Sequence, residues 1–131
     1  MTGLNQDGAA AAIQNIIGTS ADVRLMGTAV DYDDGATELS TKEIDGDGYA
    51  AQTVAEADWT ITPNVGGEDS ELTNDNEIDF GTAGGNWGNV VDVVIHGDGD
   101  EFIIADEPSN PDVTMGAEVT IAAGAITYTL G

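Results

Sequence analysis

Short apolar runs alternate with turn residues through the last third of the chain, and this pattern constrains the fold more than any other feature. The runs cover residues 90–95, 102–105, 118–122 and 125–130, and Gly, Asp and Pro residues separate them. Runs of this length with such boundaries are typical of β-strands that follow one another in a sheet. In the last run Ile126, Tyr128 and Leu130 fall on one face, as expected of a half-buried strand.

One helix and four further strands are predicted upstream of this region. The helix covers residues 9–17, because Ala9, Ile13 and Ile17 share one face and Gly18 is a natural stop. We interpret the helix as a cover over one end of the sheet, with an anchor or subunit contact as the alternative. The strands are expected at 22–30, 49–54, 58–62 and 77–80, and polar loops at 31–43 and 64–76.

The chain of 131 residues is long enough for one domain with a modest core. We predict a mainly β domain over 1–131, an antiparallel, jelly-roll-like β-sandwich with a short N-terminal helical segment at 1–18. The run 90–95 is apolar on both faces, which indicates burial on both sides or contact with another subunit. The predicted core consists of Ile13, Ile16, Val23, Leu25, Trp59, Ile61, Ile78, Phe80, Trp87, Val93, Ile95, Phe102, Ile104, Val119, Ile121, Ile126, Tyr128 and Leu130.

The charge balance excludes two classes of partner. The chain has 25 acidic residues against two basic ones, Arg24 and Lys42, for a formal net charge of −23. Nucleic acids and anionic membranes are bound by cationic side chains, so neither is an expected partner. The N-terminus lacks the basic and apolar regions of a signal peptide, and no apolar run is long enough to span a bilayer.

The same acidity indicates a salt-rich environment. A chain with this net charge repels itself at low salt, whereas at molar salt the Debye length falls to roughly 3 Å and screens the repulsion. We therefore interpret the source as a halophile. The alternative is an acidic domain that binds calcium.

The residue types that carry catalysis are scarce, and we do not predict an enzyme. His96 is the only histidine and there is no cysteine. Because His96 ends an apolar run and precedes a Gly, a strand-end or interface role is favoured over a general base. Trp59 and Trp87 are interpreted as core residues, with an exposed sugar-binding platform as the alternative.

Metal binding is the chemical possibility that the sequence leaves open. Asp31, Asp33 and Asp34 stand close together in DYDDG, but in an EF-hand loop counted from Asp31 the fifth position would be Gly35, which offers no side-chain ligand. The other candidates lie in two Asp-Gly turns, namely Asp45, Asp47, Asp98 and Asp100. A structural Ca²⁺, Mg²⁺, Na⁺ or K⁺ is the only cofactor considered, and hydrated surface carboxylates are the expected state.

Several short motifs follow one another in the second half of the chain: Trp-Gly-x-Val at 87–90, Phe-Ile-Ile at 102–104, Gly-x-x-Val at 116–119, Ala-Ala-Gly-Ala-Ile-Thr at 122–127 and Leu-Gly at 130–131. In this order they resemble a family of small virion proteins of tailed viruses, labelled head or tail fibre, minor tail or capsid-decoration proteins. Earlier in the chain, 48–54 is similar to the family's Gly-Tyr-Ala-Arg-Gln-x-Val strand, and 78–80 to its next strand. The chain departs from this pattern at Ala51, where Arg is usual, at Val94, and at His96-Gly97, where Phe-Asp is common.

The resemblance implies a structural virion protein of a tailed virus, which by composition would infect a halophilic host. Such a protein would be assembled in the host cytoplasm as a homotrimer, form a capsid decoration or turret on the head, and aid host adsorption. Its partners would be itself, the major capsid protein or tail proteins, and a host surface glycan. The alternatives are a tail fibre or baseplate protein, and a calcium- or carbohydrate-binding β-sandwich module that recognises cell surfaces.

Overall fold

The computed structural model describes residues 5–65, 69–106 and 111–130, which form eleven strands and two α-helices. The helices are α1 (Gln6–Ile17) and α2 (Ala36–Lys42), and a 3-10 turn covers Glu56–Asp58. The strands are β1 (Ser20–Met26), β2 (Gln52–Ala55), β3 (Trp59–Val65), β4 (Asp69–Asn74), β5 (Ile78–Thr82), β6 (Gly88–Asn89), β7 (Asp92–His96), β8 (Phe102–Asp106), β9 (Asp112–Val113), β10 (Glu118–Ile121) and β11 (Thr127–Leu130).

The strands form a sandwich-like arrangement in which all the pairs are antiparallel. The larger sheet has the order β2-β1-β7-β8, and a three-stranded sheet has the order β11-β4-β3. Two shorter pairs, β10-β5 and β6-β9, complete the described structure. The predicted antiparallel, mainly β fold with an N-terminal helix is confirmed. Neither helix is long and apolar enough to cross a membrane.

The main core lies between the two larger sheets, and α1 closes it. Val23 of β1 lies opposite Ile95 of β7, which lies opposite Ile103 of β8, and these side chains are fully buried on one face. Ile13 and Ile17 of α1 pack into the same core. Since α1 contacts strands of both sheets, its predicted role as a cover is confirmed.

The outer face of the larger sheet is covered by α2. Val94 of β7 is fully buried on this face, in a cluster with Met26 and Leu39 of α2. The apolar run 90–95 is therefore buried on both sides within the chain itself. The prediction of a polar loop over 31–43 is wrong, because α2 lies within this range. Leu39 is the one buried residue of α2, and a single apolar residue does not produce a helical period.

Two other predictions about strands are wrong for similar reasons. Residues 69–74 form β4 rather than the predicted loop. The sequence pattern does not indicate this strand, because Leu72 is its only large apolar residue. In β8 the buried residue is Ile103, whereas Phe102 and Ile104 are only half-buried. When three consecutive residues of a strand are apolar, the sequence does not show which of them face the core. The other predicted core residues that are only partly buried are Ile16, Ile61, Val119, Ile121, Tyr128 and Leu130.

Two glycines permit close contacts that a side chain would prevent. A Cβ on Gly97 would lie 2.1 Å from the carbonyl oxygen of Ile16, where the turn after β7 meets the end of α1. A Cβ on Gly46 would lie 2.2 Å from Cδ1 of Trp87. Both contacts are shorter than packed atoms tolerate, so these positions require glycine.

Candidate functional site at the seam between β8 and β11

The two larger sheets each end at an outer strand on the same side of the sandwich. In the part of the chain that the structure describes, no strand pairs with the outer edge of β8 or of β11. Two clefts lie along these strands, with volumes of about 730 Å³ and about 270 Å³. Residues of both β8 and β11 line each cleft. We call this region the seam, its larger cleft the acidic cleft and its smaller one the neutral cleft.

The neutral cleft is lined entirely by uncharged residues. They are Val93, Ala105, Thr120, Ile121, Ala122, Ala125, Ile126 and Thr127. Most belong to residues 119–130, where twelve consecutive positions carry no charge. Ala122, Ala125 and Thr127 are exposed. In a chain with a formal charge of −23, the lining of this cleft itself presents no carboxylate to another molecule.

A buried amide fixes the shape of the neutral cleft. Asn74, only 2% exposed, ends β4 and reaches the connection between β10 and β11. Its Nδ2 donates to the carbonyl oxygen of Ala122 at 3.1 Å, and its Oδ1 accepts from the backbone N of Ile126 at 3.0 Å. Its own carbonyl accepts from the backbone N of Gly124 at 2.8 Å. No local sequence pattern predicts this role, because residues 64–76 have the composition of a polar loop.

The acidic cleft is lined by apolar and aromatic residues and by four carboxylates, of which Asp100 and Glu101 are exposed and form its rim. Its apolar and aromatic lining residues are Ile16, Val30, Tyr32, Phe102, Ile103, Ile104 and Tyr128. The carboxylates of Asp34, Asp92, Asp100 and Glu101 complete it. Tyr32 is fully exposed, and burial raises the pKa of Tyr128, with a smaller contribution from nearby Tyr32.

The DYDDG carboxylates are brought together, and a lysine neutralises part of their charge. Ligand atoms of Asp31, Asp33 and Asp34 lie within 4.8 Å of one another, the one such group among the described residues. Lys42 Nζ lies 2.5 Å from Oδ2 of Asp34 and 3.3 Å from Oδ2 of Asp31. The hydrogen bond with Lys42 lowers the pKa of Asp34, and the same contact raises the pKa of Lys42. Lys42 thus supplies positive charge within this group, and a bound cation stays the alternative to the hydrated carboxylates that the sequence predicts.

The other metal candidates lie in two separate exposed turns. Asp45 and Asp47 precede β2, and Asp98 and Asp100 follow β7. Neither turn forms a group of three potential ligands within the described residues. The backbone carbonyl of Asp47 accepts from Trp87 Nε1 at 2.9 Å and from the backbone N of Gly84 at 2.9 Å. Only Asp100 of these four lines a cleft of the seam.

His96 ends β7, as predicted, and both of its ring nitrogens are engaged within the chain. Arg24 Nη1 lies 3.1 Å from Nδ1 of His96. Because arginine only donates, Nδ1 accepts, and Nε2 donates to the carbonyl oxygen of Gly99 at 2.7 Å. This geometry makes His96 a link between β1 and the turn after β7.

Arg24 continues this network toward Tyr49. It donates to Oε1 of Glu43 from Nε at 3.0 Å and from Nη2 at 2.7 Å. The hydroxyl of Tyr49 donates to Oε2 of Glu43 at 2.5 Å and accepts from the backbone N of Leu25 at 3.0 Å. Burial raises the pKa of Tyr49, and its hydrogen bond to Glu43 raises it further. The network therefore ties residues 43–49 to the larger sheet.

Both tryptophans belong to the core, as the favoured interpretation predicted. Trp59 and Trp87 are each 7% exposed. The ring of Tyr49 packs edge-on against Trp87 at 5.3 Å and stacks with Phe80 at 6.1 Å between ring centroids. An exposed sugar-binding platform made of the two tryptophans is therefore excluded.

No protein-family model, curated protein or solved structure matches the chain. The resemblance to virion proteins accordingly stays a prediction, and the seam is the site from which a function is argued.

Proposed function

We propose that this protein is a structural subunit of a tailed virus with a halophilic host, and that three copies assemble through the neutral cleft. The trimer would form a decoration or turret on the head, with a tail fibre or baseplate position as the alternative. The short sequence motifs support the viral setting. The charge distribution over the described surface supports the assembly.

The observation that carries the proposal is the uncharged surface formed by residues 119–130. Elsewhere the chain is covered with carboxylates, and Asp92 is the only acid found buried among those whose exposure the structure describes. Two acidic surfaces repel each other, whereas exposed Ala and Thr side chains permit close approach. In a cyclic trimer a surface that lies at the three-fold axis meets its own copies, so we place the neutral cleft of each chain at that axis.

Light scattering of the purified chain in molar KCl tests the proposal. The expected mass is about three times the 13.4 kDa of one chain, and it should persist on dilution into the low micromolar range. A mass of one chain at every concentration contradicts free trimer formation.

A second candidate function is carbohydrate recognition, and Tyr32 is the observation that favours it. Its ring is fully exposed at the acidic cleft, which Tyr128 and the exposed carboxylates of Asp100 and Glu101 also line. Such carboxylates accept hydrogen bonds from hydroxyl groups. Binding to an array of neutral and amino sugars, compared between the wild type and Tyr32→Ala, tests this role. Binding that is independent of Tyr32, or no binding at all, contradicts it.

A further inference from the structure

We infer that the outer edge of β8 is a docking site for an extended segment of a second protein that carries basic and apolar residues. This inference rests on the proposed role as an assembling subunit and adds a partner to it. The segment would lie along β8, in the acidic cleft, as an additional strand of the larger sheet.

The first argument is that β8 lacks the features that protect an outer strand. Outer strands are commonly blunted by proline, lysine or a bulge. β3, the outer strand of the other sheet, contains Pro63. β8 begins Phe-Ile-Ile-Ala and pairs with β7 in an uninterrupted register. Among the described residues no strand pairs with its outer edge, and it carries apolar side chains on both faces.

The second argument is charge, which selects the kind of partner. Of the four carboxylates that line the cleft, Asp34 pairs with Lys42, and Asp92 is buried and accepts from the backbone N of Val30. Asp100 and Glu101 are exposed and remain to attract a basic partner. The chain has only two basic side chains, and each is already paired internally, Arg24 with Glu43 and Lys42 with Asp31 and Asp34. A second copy therefore has no free lysine or arginine to offer, whereas a different protein with basic residues complements the rim.

The position of the carboxylates predicts where the basic residues lie. Asp100 and Glu101 are exposed and immediately precede β8. The basic residues should therefore face the start of β8. They would be at the C-terminal end of an antiparallel segment, or at the N-terminal end of a parallel one.

Isothermal titration with three blocked peptides tests the inference. The probes are Thr-Val-Thr-Val-Thr-Lys-Lys, its reversed sequence Lys-Lys-Thr-Val-Thr-Val-Thr, and a control in which Glu-Glu replaces Lys-Lys. At about 1 M KCl, where ion pairs are weakened but not abolished, we expect one lysine peptide to bind roughly tenfold more tightly than the glutamate peptide. Equal affinities, or no binding by either lysine peptide, overturn the inference.

Charge-removing variants locate the binding site on the protein. The variant Asp100→Asn with Glu101→Gln should lower the affinity of the lysine peptide by roughly fivefold. The matched control is Asp45→Asn with Glu56→Gln, which removes two exposed carboxylates that do not line the cleft and should leave binding unchanged. Equal losses in the two variants show a general charge effect and contradict the assigned site.

Light scattering separates this inference from the proposed function. If the chain is a single copy in solution and the lysine peptide binds at the cleft, self-assembly fails and the docking site stands. If the trimer forms and no lysine peptide binds, only the docking site fails. If a second copy occupies the edge of β8, Phe102→Lys will dissociate the trimer, and that result also overturns the inference.

Discussion

The side-chain amide of Asn74 donates to the carbonyl oxygen of Ala122 at 3.1 Å, which joins the three-stranded sheet to the connection between β10 and β11. Because the same side chain also accepts from the backbone of Ile126, the uncharged surface is held from both ends of the connection. Rigid presentation lowers the entropy that is lost on association, so this contact serves the proposed assembly as well as the fold.

Replacing Asn74 with Ala should therefore destabilise the protein. The backbone N of Ile126 and the carbonyl of Ala122 would lose their partner in a buried site, at a cost of about 2–3 kcal/mol in the free energy of unfolding. Urea denaturation in molar KCl measures the change. The control is Asn76→Ala, which removes an exposed contact to Asp58 and should cost less than about 0.5 kcal/mol. Similar values for the two variants would contradict the role of Asn74.

Gly46→Ala should also destabilise the core. The added Cβ would lie 2.2 Å from Cδ1 of Trp87, so the indole must shift, at a cost of about 1–3 kcal/mol. The measurements are the thermal midpoint and the tryptophan emission maximum, which should move to longer wavelength. Gly85→Ala is the control, because its Cβ would meet the nearest atom at an ordinary 3.5 Å. An unchanged midpoint in Gly46→Ala would contradict the packing described.

Tyr49 should make stability dependent on alkaline pH. Burial, followed by the hydrogen bond to Glu43, raises its pKa above the usual 10.0, so the folded chain resists ionisation more than the unfolded chain. The resulting stabilisation is present in full below about pH 10 and is lost as the pH rises toward the higher pKa of the folded chain. Denaturation midpoints between pH 8 and about pH 11 should therefore fall steeply in the wild type.

The variant Tyr49→Phe isolates this effect. It should be less stable at neutral pH by about 1–2 kcal/mol, because the hydrogen bonds to Glu43 and from Leu25 are lost. Its stability should fall less between pH 10 and about pH 11 than that of the wild type. Tyr32→Phe, at a fully exposed position, should follow the wild-type curve. Parallel curves for Tyr49→Phe and the wild type would refute the assignment to Tyr49.

Salt should control stability if the source is a halophile. The described carboxylates are almost all exposed or half-exposed, and the two basic side chains neutralise only a few of them. Raising KCl from about 0.1 M to about 1 M shortens the Debye length from roughly 10 Å to roughly 3 Å and screens the repulsion. The thermal midpoint measured by circular dichroism should rise over this range. A midpoint that is indifferent to salt would contradict the halophilic interpretation.

The parts of the fold that sequence reasoning recovered are those where apolar residues recur with a clear period. The helix α1 follows from the spacing of Ile13 and Ile17, and the last strand, β11, follows from the alternation of Tyr128 and Leu130 with threonines. The sequence pattern does not predict α2 and β4, because each is marked by one apolar residue. Leu39 and Leu72 are recognisable as core residues only through their tertiary contacts. The sequence pattern also does not show whether Val94 is buried within the chain or against another subunit, because it does not predict α2, whose Leu39 packs against Val94.

The candidate site was less predictable than the fold. Composition indicates an acidic surface, and the sequence locates its acidic turns. The ion pair between Lys42 and Asp34 is not predictable in this way, because the two residues lie eight positions apart and are brought together by the position of α2. The seam depends on which strands end each sheet, and strand order is set by long-range pairing. Ala122 and Ile126, the partners of Asn74 at the neutral cleft, lie 48 and 52 residues away along the chain, so no local pattern reveals them.

The most direct test of the central claim, self-assembly through the neutral cleft, compares the solution masses of Ala125→Glu and Ala57→Glu in molar KCl. Both positions are exposed alanines, so each variant adds the same charge, but only Ala125 lines the neutral cleft. Three carboxylates brought together in a trimer repel one another, so Ala125→Glu should have the mass of one chain while Ala57→Glu and the wild type stay trimeric. Trimers in all three proteins, or a single chain in all three, would contradict assembly through this surface.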